Sequence, residues 1–150
     1  MGGHHMPGEY CIDPTRPQFE AFKALPRDQP VEMLNLVRFK ETAAYPADHP
    51  RASENLTGAQ AYALYGKESG PVFARVGGKI IWRGQFQTVL IGPETEKWDE
   101  CFIARYPAAS AFLEMVTDPA YQKAVVNRQA AVLTSRLIRH APAEGGGTFG

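Results

Sequence analysis

The sequence is poor in the residues from which most reactive centres are built. It holds two cysteines in 150 residues, Cys11 and Cys101, far apart and in no C-x-x-C pair. Two unrelated thiols are the simpler reading, with a disulfide between them the other. Of four histidines, His4 and His5 fall in the glycine-rich opening, which leaves only His49 and His140. That is too few for a histidine-built metal site, and no metal is expected. No G-x-G-x-x-G, Walker A loop, G-x-S-x-G elbow or H-E-x-x-H helix occurs. Those absences remove the standard nucleotide-binding, serine-hydrolase and zinc-protease classes.

Charge of one sign is lacking too. Lysine plus arginine and aspartate plus glutamate each total 16, for a formal net charge of zero. Nothing in that balance points to nucleic acid or to an anionic membrane as a partner. No apolar run approaches ~18 residues, and no charged n-region precedes an apolar h-region. A soluble, cytoplasmic protein is expected. Asn55-Leu56-Thr57 fits a glycosylation sequon, which carries no weight without a secretory signal.

What is present is an ordinary globular composition, 44% hydrophobic and 21% charged, at a length suited to one domain. Residues 1–8 read as a disordered terminus or tag remnant, 9–142 as a single domain, and 143–150 as a flexible tail. Phe19, Phe22 and Leu25 recur at three-residue spacing before Pro26, predicting a short amphipathic helix from Pro17. Val31 to Phe39 is a near-continuous apolar run and predicts a buried strand. Glu41 to Asn55, with Pro46 and Pro50 and no periodicity, reads as a long loop, a class that often serves function.

Thr57 is a helix cap, and Tyr62, Tyr65, Val72, Phe73 and Val76 follow at helical spacing. Pro71 predicts a kink or break within that helix, and Gly77-Gly78 its end. Lys79 to Ile91 predicts one long strand and Trp98 to Tyr106 another, with a turn at Gly92-Pro93. Pro107 opens a helix, Asp118-Pro119 starts a second segment to about Val132, and Thr134 to His140 is the last strand. The order β-α-β-β-α-β is that of a ferredoxin-like α+β fold, a four-stranded antiparallel sheet with helices on one face. The opposite, apolar face then needs cover, most simply from a second copy of the chain. RNA-recognition modules share this order, but the Trp98 to Tyr106 strand lacks their aromatic motif.

Candidate site residues are polar groups where the pattern calls for apolar ones. Asn35 shares a strand face with Val31, Met33, Val37 and Phe39, so its amide either binds local backbone or lines a pocket. Arg128 falls on a helix stripe with Tyr121, Val125 and Val132. It is either half of a structural ion pair, a side chain reaching the edge, or an anion-binding group. Arg83, Gln85 and Gln87 share one face of the second strand, with Ile80, Trp82, Phe86 and Leu90 on the other. The polar set is either solvated or lines a cavity. Arg105 sides with Cys101 and Ile103, with Tyr106 opposite. Tyr62 and Tyr65 read as core aromatics with wet hydroxyls before they read as catalytic groups.

Several of these segments, in their order and spacing, resemble the DUF1330 family. They are Tyr62-x-x-Tyr65, Gly77-Gly78, Trp82-Arg83-Gly84, Arg105-Tyr106-Pro107, Asp118-Pro119-Ala120-Tyr121 and Arg128 seven residues on, within about Val31 to Pro142. The resemblance implies a dimeric α+β barrel in which two ferredoxin-like sheets face each other. Wider relatives of that barrel include cofactor-free monooxygenases, muconolactone-isomerase-type enzymes, haem-dependent enzymes and regulatory ligand binders. The chain departs from the family pattern at Gln85, where a glycine is usual, at Arg105, where an acid is common, and in its longer 41–55 loop. The expectation is a homodimer binding a small anionic or oxygenated organic molecule, as a cofactor-free monooxygenase or isomerase. A non-enzymatic ligand-binding or structural dimer is the alternative. Arg83, Arg128, Asn35, Tyr62 and Tyr121 are the expected ligand contacts, with no cofactor and no assigned catalytic residue.

Overall fold

The computed structural model describes residues 10–149. The expected loose terminus at 1–8 therefore lies outside the described residues. Four strands, β1 (Val31–Phe39), β2 (Lys79–Gly84), β3 (Glu100–Tyr106) and β4 (Val132–His140), form one antiparallel sheet in the order β2-β3-β1-β4. Four helices, α1 (Arg16–Ala24), α2 (Gly58–Arg75), α3 (Ala109–Thr117) and α4 (Pro119–Ala131), complete the chain. With α1 set aside, the sequence of elements is β-α-β, then β-α-α-β, the ferredoxin-like fold. Residues 141–149 carry no regular structure and are exposed.

Side-chain alternation decides which sheet face the helices cover. Val31, Met33 and Val37 are buried. Val31 and Met33 pack with Val72 of α2 and Val76 just past its end, Met115 of α3 and Tyr121 of α4, while Val37 packs with Ala61, Ala131 and Val132. All three point one way, because residues two apart share a face. The even-numbered positions face away. Through the register, Trp82, Ile103, Leu34 and Ile138 make one apolar row across all four strands on that opposite face. Trp82 and Ile138 are 48% and 42% exposed there.

Local signals fix the helix ends. Thr15 and Thr57 each accept from the backbone N–H three residues on, with Gln18 and Gln60 reaching back, so α1 and α2 both open with a capping box. Asp118 caps α4 through the Ala120 N–H, with Pro119 first in the helix. Gly77 takes φ +88 just beyond α2, a left-handed turn that a side chain would strain. Asn55 also sits at positive φ, turning the 41–55 loop into the Thr57 cap.

Three expectations from sequence need correction. Pro71 does not break α2, which runs through it. Proline and Lys67 four residues back are both exposed, so the carbonyl freed by the missing N–H can meet water. The second strand ends at Gly84 rather than Ile91, because its partner β3 begins only at Glu100 and Gly84 already pairs with Cys101. Gln85 and Gln87 therefore lie off the sheet, in an irregular excursion where Leu90 and Ile91 are exposed. Finally, Ile80 and Trp82 do not share a face. The register slips between them, so Ile81 is an extra residue; Ile80 pairs with Ala104 and Arg83 with Phe102 on the helix side, while Trp82 turns away.

The 41–55 loop is tied down at both ends and in the middle. Lys40 and Ala44 N–H groups donate to Ala131 and Ala130 carbonyls, and Thr42 bridges Thr57. Asn127 of α4, 1% exposed, is the anchor. Its carbonyl accepts from Tyr45 Oη at 2.6 Å and Arg51 Nη1 at 2.8 Å, and its amide donates to Glu68 of α2 at 3.0 Å. A buried amide with every group engaged rigidifies what it joins. The two cysteines are free thiols, Cys11 exposed and Cys101 buried.

Candidate functional site

The helix layer does not close over the whole sheet. Between them lies a cavity of about 1630 Å³, with α1 and the segment before it contributing one wall. That wall is held at several points. Ser135 N–H and hydroxyl both donate to Cys11 O, at 2.7 and 2.9 Å, Arg139 Nη1 donates to Phe22 O at 3.0 Å, and Phe22 packs at a tilt against Phe112. No residue of α1 is buried, because its apolar side faces the cavity.

Arg83, Arg128, Asn35, Tyr62 and Tyr121 all line this one cavity. Asn35 sits on β1 beside Phe102 of β3 and Leu137 of β4; its Nδ2 donates to Met33 O at 3.1 Å, so the amide is satisfied locally and its Oδ1 has no hydrogen-bond partner among the described residues. Arg128, on the last turn of α4, donates to Ile12 O at 2.6 Å and Ser135 Oγ at 3.1 Å. It makes no ion pair among the described residues. A guanidinium has five N–H donors, so three of Arg128's are unspent. Arg83, its side chain 65% exposed, lies 3.9 Å from Glu100 and over the Phe102 ring. At that exposure the ion pair contributes little.

The tyrosines form a ladder along α2 and α4. Tyr62 packs on Phe39 and Tyr65, and Tyr65 meets Tyr121 edge-on with their hydroxyls 2.9 Å apart. Burial pushes the Tyr62 phenol well above its ordinary range, with the Tyr65 hydroxyl adding to it and Arg128 and Arg83 partly offsetting it. Tyr121 and Tyr106 are raised by the same cause. Tyr62 is therefore a neutral hydroxyl near physiological pH, a hydrogen-bond donor rather than a base. It makes no hydrogen bond to any described residue.

Two lining residues had no sequence signal that marked them. Ser135 is an ordinary strand serine until the register sets it opposite Val37 and under Arg128. Glu100 opens β3 opposite Val37 and is a cavity carboxylate. His49 stacks on Tyr45 and accepts from Arg51 N–H, and His140 pairs with Glu32 on the other sheet face, so neither lines the cavity. Arg105 likewise turns to that face and donates to Glu32 at 3.0 Å. Burial raises the Cys101 thiol, as do Glu100 and Asp99, so it is not primed as a nucleophile. No group of three or more His, Cys, Asp or Glu side chains among the described residues is placed to hold a metal ion, and no helix there is long and apolar enough to cross a membrane.

Comparison with known proteins agrees with this architecture. The crystal structure of the RPA0582 protein of unknown function from Rhodopseudomonas palustris is 53% identical, over 90% of this chain and 98% of that one, with a TM-score of 0.83. The methylated RPA0582 protein is 51% identical, over 98% and 100%, with a TM-score of 0.84. A distant likeness is to a dimeric protein of unknown function and ferredoxin-like fold from Bacteroides fragilis NCTC 9343, at 11% identity over 75% and 95%, TM-score 0.44. No curated protein matches the chain. The family model described as "Domain of unknown function (DUF1330)" matches residues 52–140. More than half of the chain, from the end of the anchored loop to the last strand, carries that pattern, and the chain belongs to the DUF1330 family.

Proposed function

We propose that the protein is a homodimer that binds a small anionic or oxygenated organic molecule in the cavity between sheet and helices. The observation that carries this reading is Arg128. It reaches a cavity lined by Arg83, Asn35, Tyr62 and Tyr121 and is committed to no carboxylate, so its charge is available to a ligand. Arg83 and Arg128 hold the anion; Asn35, Tyr62 and Tyr121 supply hydrogen bonds.

Thermal unfolding tests it. A ligand at ~100 times its Kd adds about 2.7 kcal/mol, which in a domain of this size raises Tm by roughly 5–10 °C. Saturating benzoate is expected to give a shift of that order in the wild type. Arg128→Ala is expected to fold, with roughly 1–2 kcal/mol lost from its two hydrogen bonds, and to show almost no benzoate shift against its own baseline. An equal shift in both proteins, or none in either, would contradict the reading.

If chemistry occurs in the cavity, proton transfer, as in an isomerisation, or cofactor-free oxygenation suits it better than hydrolysis, since no nucleophile–base pair lines it among the described residues. Glu100 is its candidate base, beside the neutral Tyr62 donor. A non-enzymatic ligand binder is the second reading, favoured by the absence of any histidine from the lining among the described residues.

The dimer is supported by the Trp82–Ile103–Leu34–Ile138 row, a continuous apolar band left open on the face away from the helices. The wild type is expected to sediment as a dimer. Charge placed in that row, as in Trp82→Glu with Ile138→Glu, is expected to give a folded monomer; a monomeric wild type would end the proposal.

A further inference from the structure

The cavity is polarised along the strands. Reading the helix-facing rows of the sheet from one end, Val31 pairs with Tyr106, and Met33 with Ala104, which pairs in turn with Ile80. Tyr106 is packed edge-on by Phe73 and Phe112, and Met115 lies beneath its hydroxyl. This end presents mainly carbon and sulfur, with one charged group, Arg139, paired with Met33 and lying over the Phe22 ring. The next row holds Asn35, Phe102, Arg83 and Leu137, and the one after it Glu100 and Ser135, with Arg128 bonded to Ser135. Tyr62 lies over this second end, against Phe39. The change from apolar to polar therefore takes place across neighbouring rows, about 7 Å apart at two residues of strand rise each.

Such a cavity discriminates by orientation. An apolar body laid against the arginine end would leave the unspent donors of Arg128 unpaired and dehydrated. A charge at the Phe112 end would meet Arg139 alone, which lies over the Phe22 ring and already donates to the Phe22 and Pro26 carbonyls, against two arginines at the other end. The placement with the charge at Arg128 and Arg83 and the apolar body among the aromatic rings is the better satisfied of the two.

Resting on the reading of this cavity as a ligand site, we propose that its ligand is an amphipathic organic anion bound lengthwise. A carboxylate or sulfonate head lies at Arg128 and Arg83, and a ring-bearing or branched apolar body lies along Phe102 toward Phe73, Phe112 and Met115. Small inorganic anions lack the body and neutral hydrocarbons lack the head, so each uses half of the cavity. Leu137, 41% exposed although it is on the helix side, is part of the apolar surface such a body covers.

A pair of fluorescent probes with nearly the same body separates the two halves: 1-anilinonaphthalene-8-sulfonate and uncharged N-phenyl-1-naphthylamine. The sulfonate is expected to bind at one per chain, at least tenfold more tightly than the neutral probe. Arg128→Met is expected to weaken the sulfonate about tenfold or more and the neutral probe less than about twofold, the size expected for losing charge-assisted hydrogen bonds. Arg83→Gln, a change at a mostly exposed side chain that leaves folding intact, is expected to act in the same direction and less strongly. Leu137→Asn is expected to weaken both probes alike. The proposal is overturned if the probes bind equally, or if the arginine variants weaken both by the same factor; the cavity would then be a ligand site without a polar head position. If neither probe binds and benzoate gives no thermal shift, the ligand-site reading falls together with it.

Discussion

Gly58→Ala is expected to be among the most damaging single-methyl changes in this protein, lowering stability by roughly 3–4 kcal/mol and Tm by roughly 10 °C. The reason is a three-way approach of backbone. Gly58 opens α2 where the end of β1 and the end of α4 converge, with its own N–H donating to Glu41 O at 3.3 Å. A Cβ there would stand 2.0 Å from Lys40 O and 2.9 Å from Ala131 O. Neither atom is the end of a side chain that could swing away. Lys40 N–H is itself bonded to Ala131 O at 2.8 Å, so displacing one carbonyl breaks the link between strand and helix. Gly66, two turns along the same helix, is the internal control. A Cβ at Gly66 meets nothing within 4 Å. Gly66→Ala is therefore expected to stabilise α2 by about 0.5–1 kcal/mol, the ordinary gain in helix propensity. Denaturant titration of the two variants checks the opposite signs; Gly58→Ala with wild-type stability would contradict this account of the junction.

Alkaline solution is expected to unfold the protein steeply. Tyr62, Tyr106 and Tyr121 all have phenols raised above the ordinary value by burial. Above about pH 10 the unfolded chain loses these three protons while the folded chain keeps them. The folded state then binds more protons, so stability is fully present below pH 10 and falls as pH rises. Each tyrosine contributes a slope of about 1.4 kcal/mol per pH unit, roughly 4 kcal/mol per unit for three. Phenolate absorbance followed with circular dichroism is expected to show the three ionising in one step with loss of structure. A smooth titration of all six tyrosines near pH 10 with the fold intact would mean that the tyrosine ladder is wet and that Tyr62 can serve as a base.

Much of this architecture was legible because local chemistry and tertiary demand agree. Thr57, Asp118-Pro119 and Gly77 mark helix ends by mechanisms that act within a few residues, and each end stands where its residues place it. The apolar run Val31–Phe39 reads as a buried strand, and it pairs on both sides. The errors arose where a distant partner decides. Residues 85–91 keep a strand-like pattern, but whether they join the sheet depends on where β3 begins, sixteen residues after Gly84. A one-residue slip at Ile81 puts Ile80 and Trp82 on opposite faces, and nothing in Ile-Ile-Trp announces a bulge. The candidate site was partly legible for the same reason. Arginine on a helix stripe with Tyr121 and Val125 stands out as misplaced, whereas Ser135 and Glu100 look ordinary until the register brings them under it. The Asn127 anchor was missed because an asparagine late in a helix has no local signature; its partners Tyr45, Arg51 and Glu68 come from 59 to 82 residues away.

If the charge of Arg128 is held ready for a ligand, that ligand lies in the cavity beneath α2 and α4. The most direct measurement is a crystal structure of the protein soaked in 4-iodobenzoate, with the iodine located by its anomalous signal. The carboxylate is expected within hydrogen-bonding distance of Arg128 and the iodine toward Phe112 and Met115. A probe bound only on the Trp82–Ile138 face, or a cavity still empty while Arg128 keeps Ile12 and Ser135 as its sole partners, would contradict it.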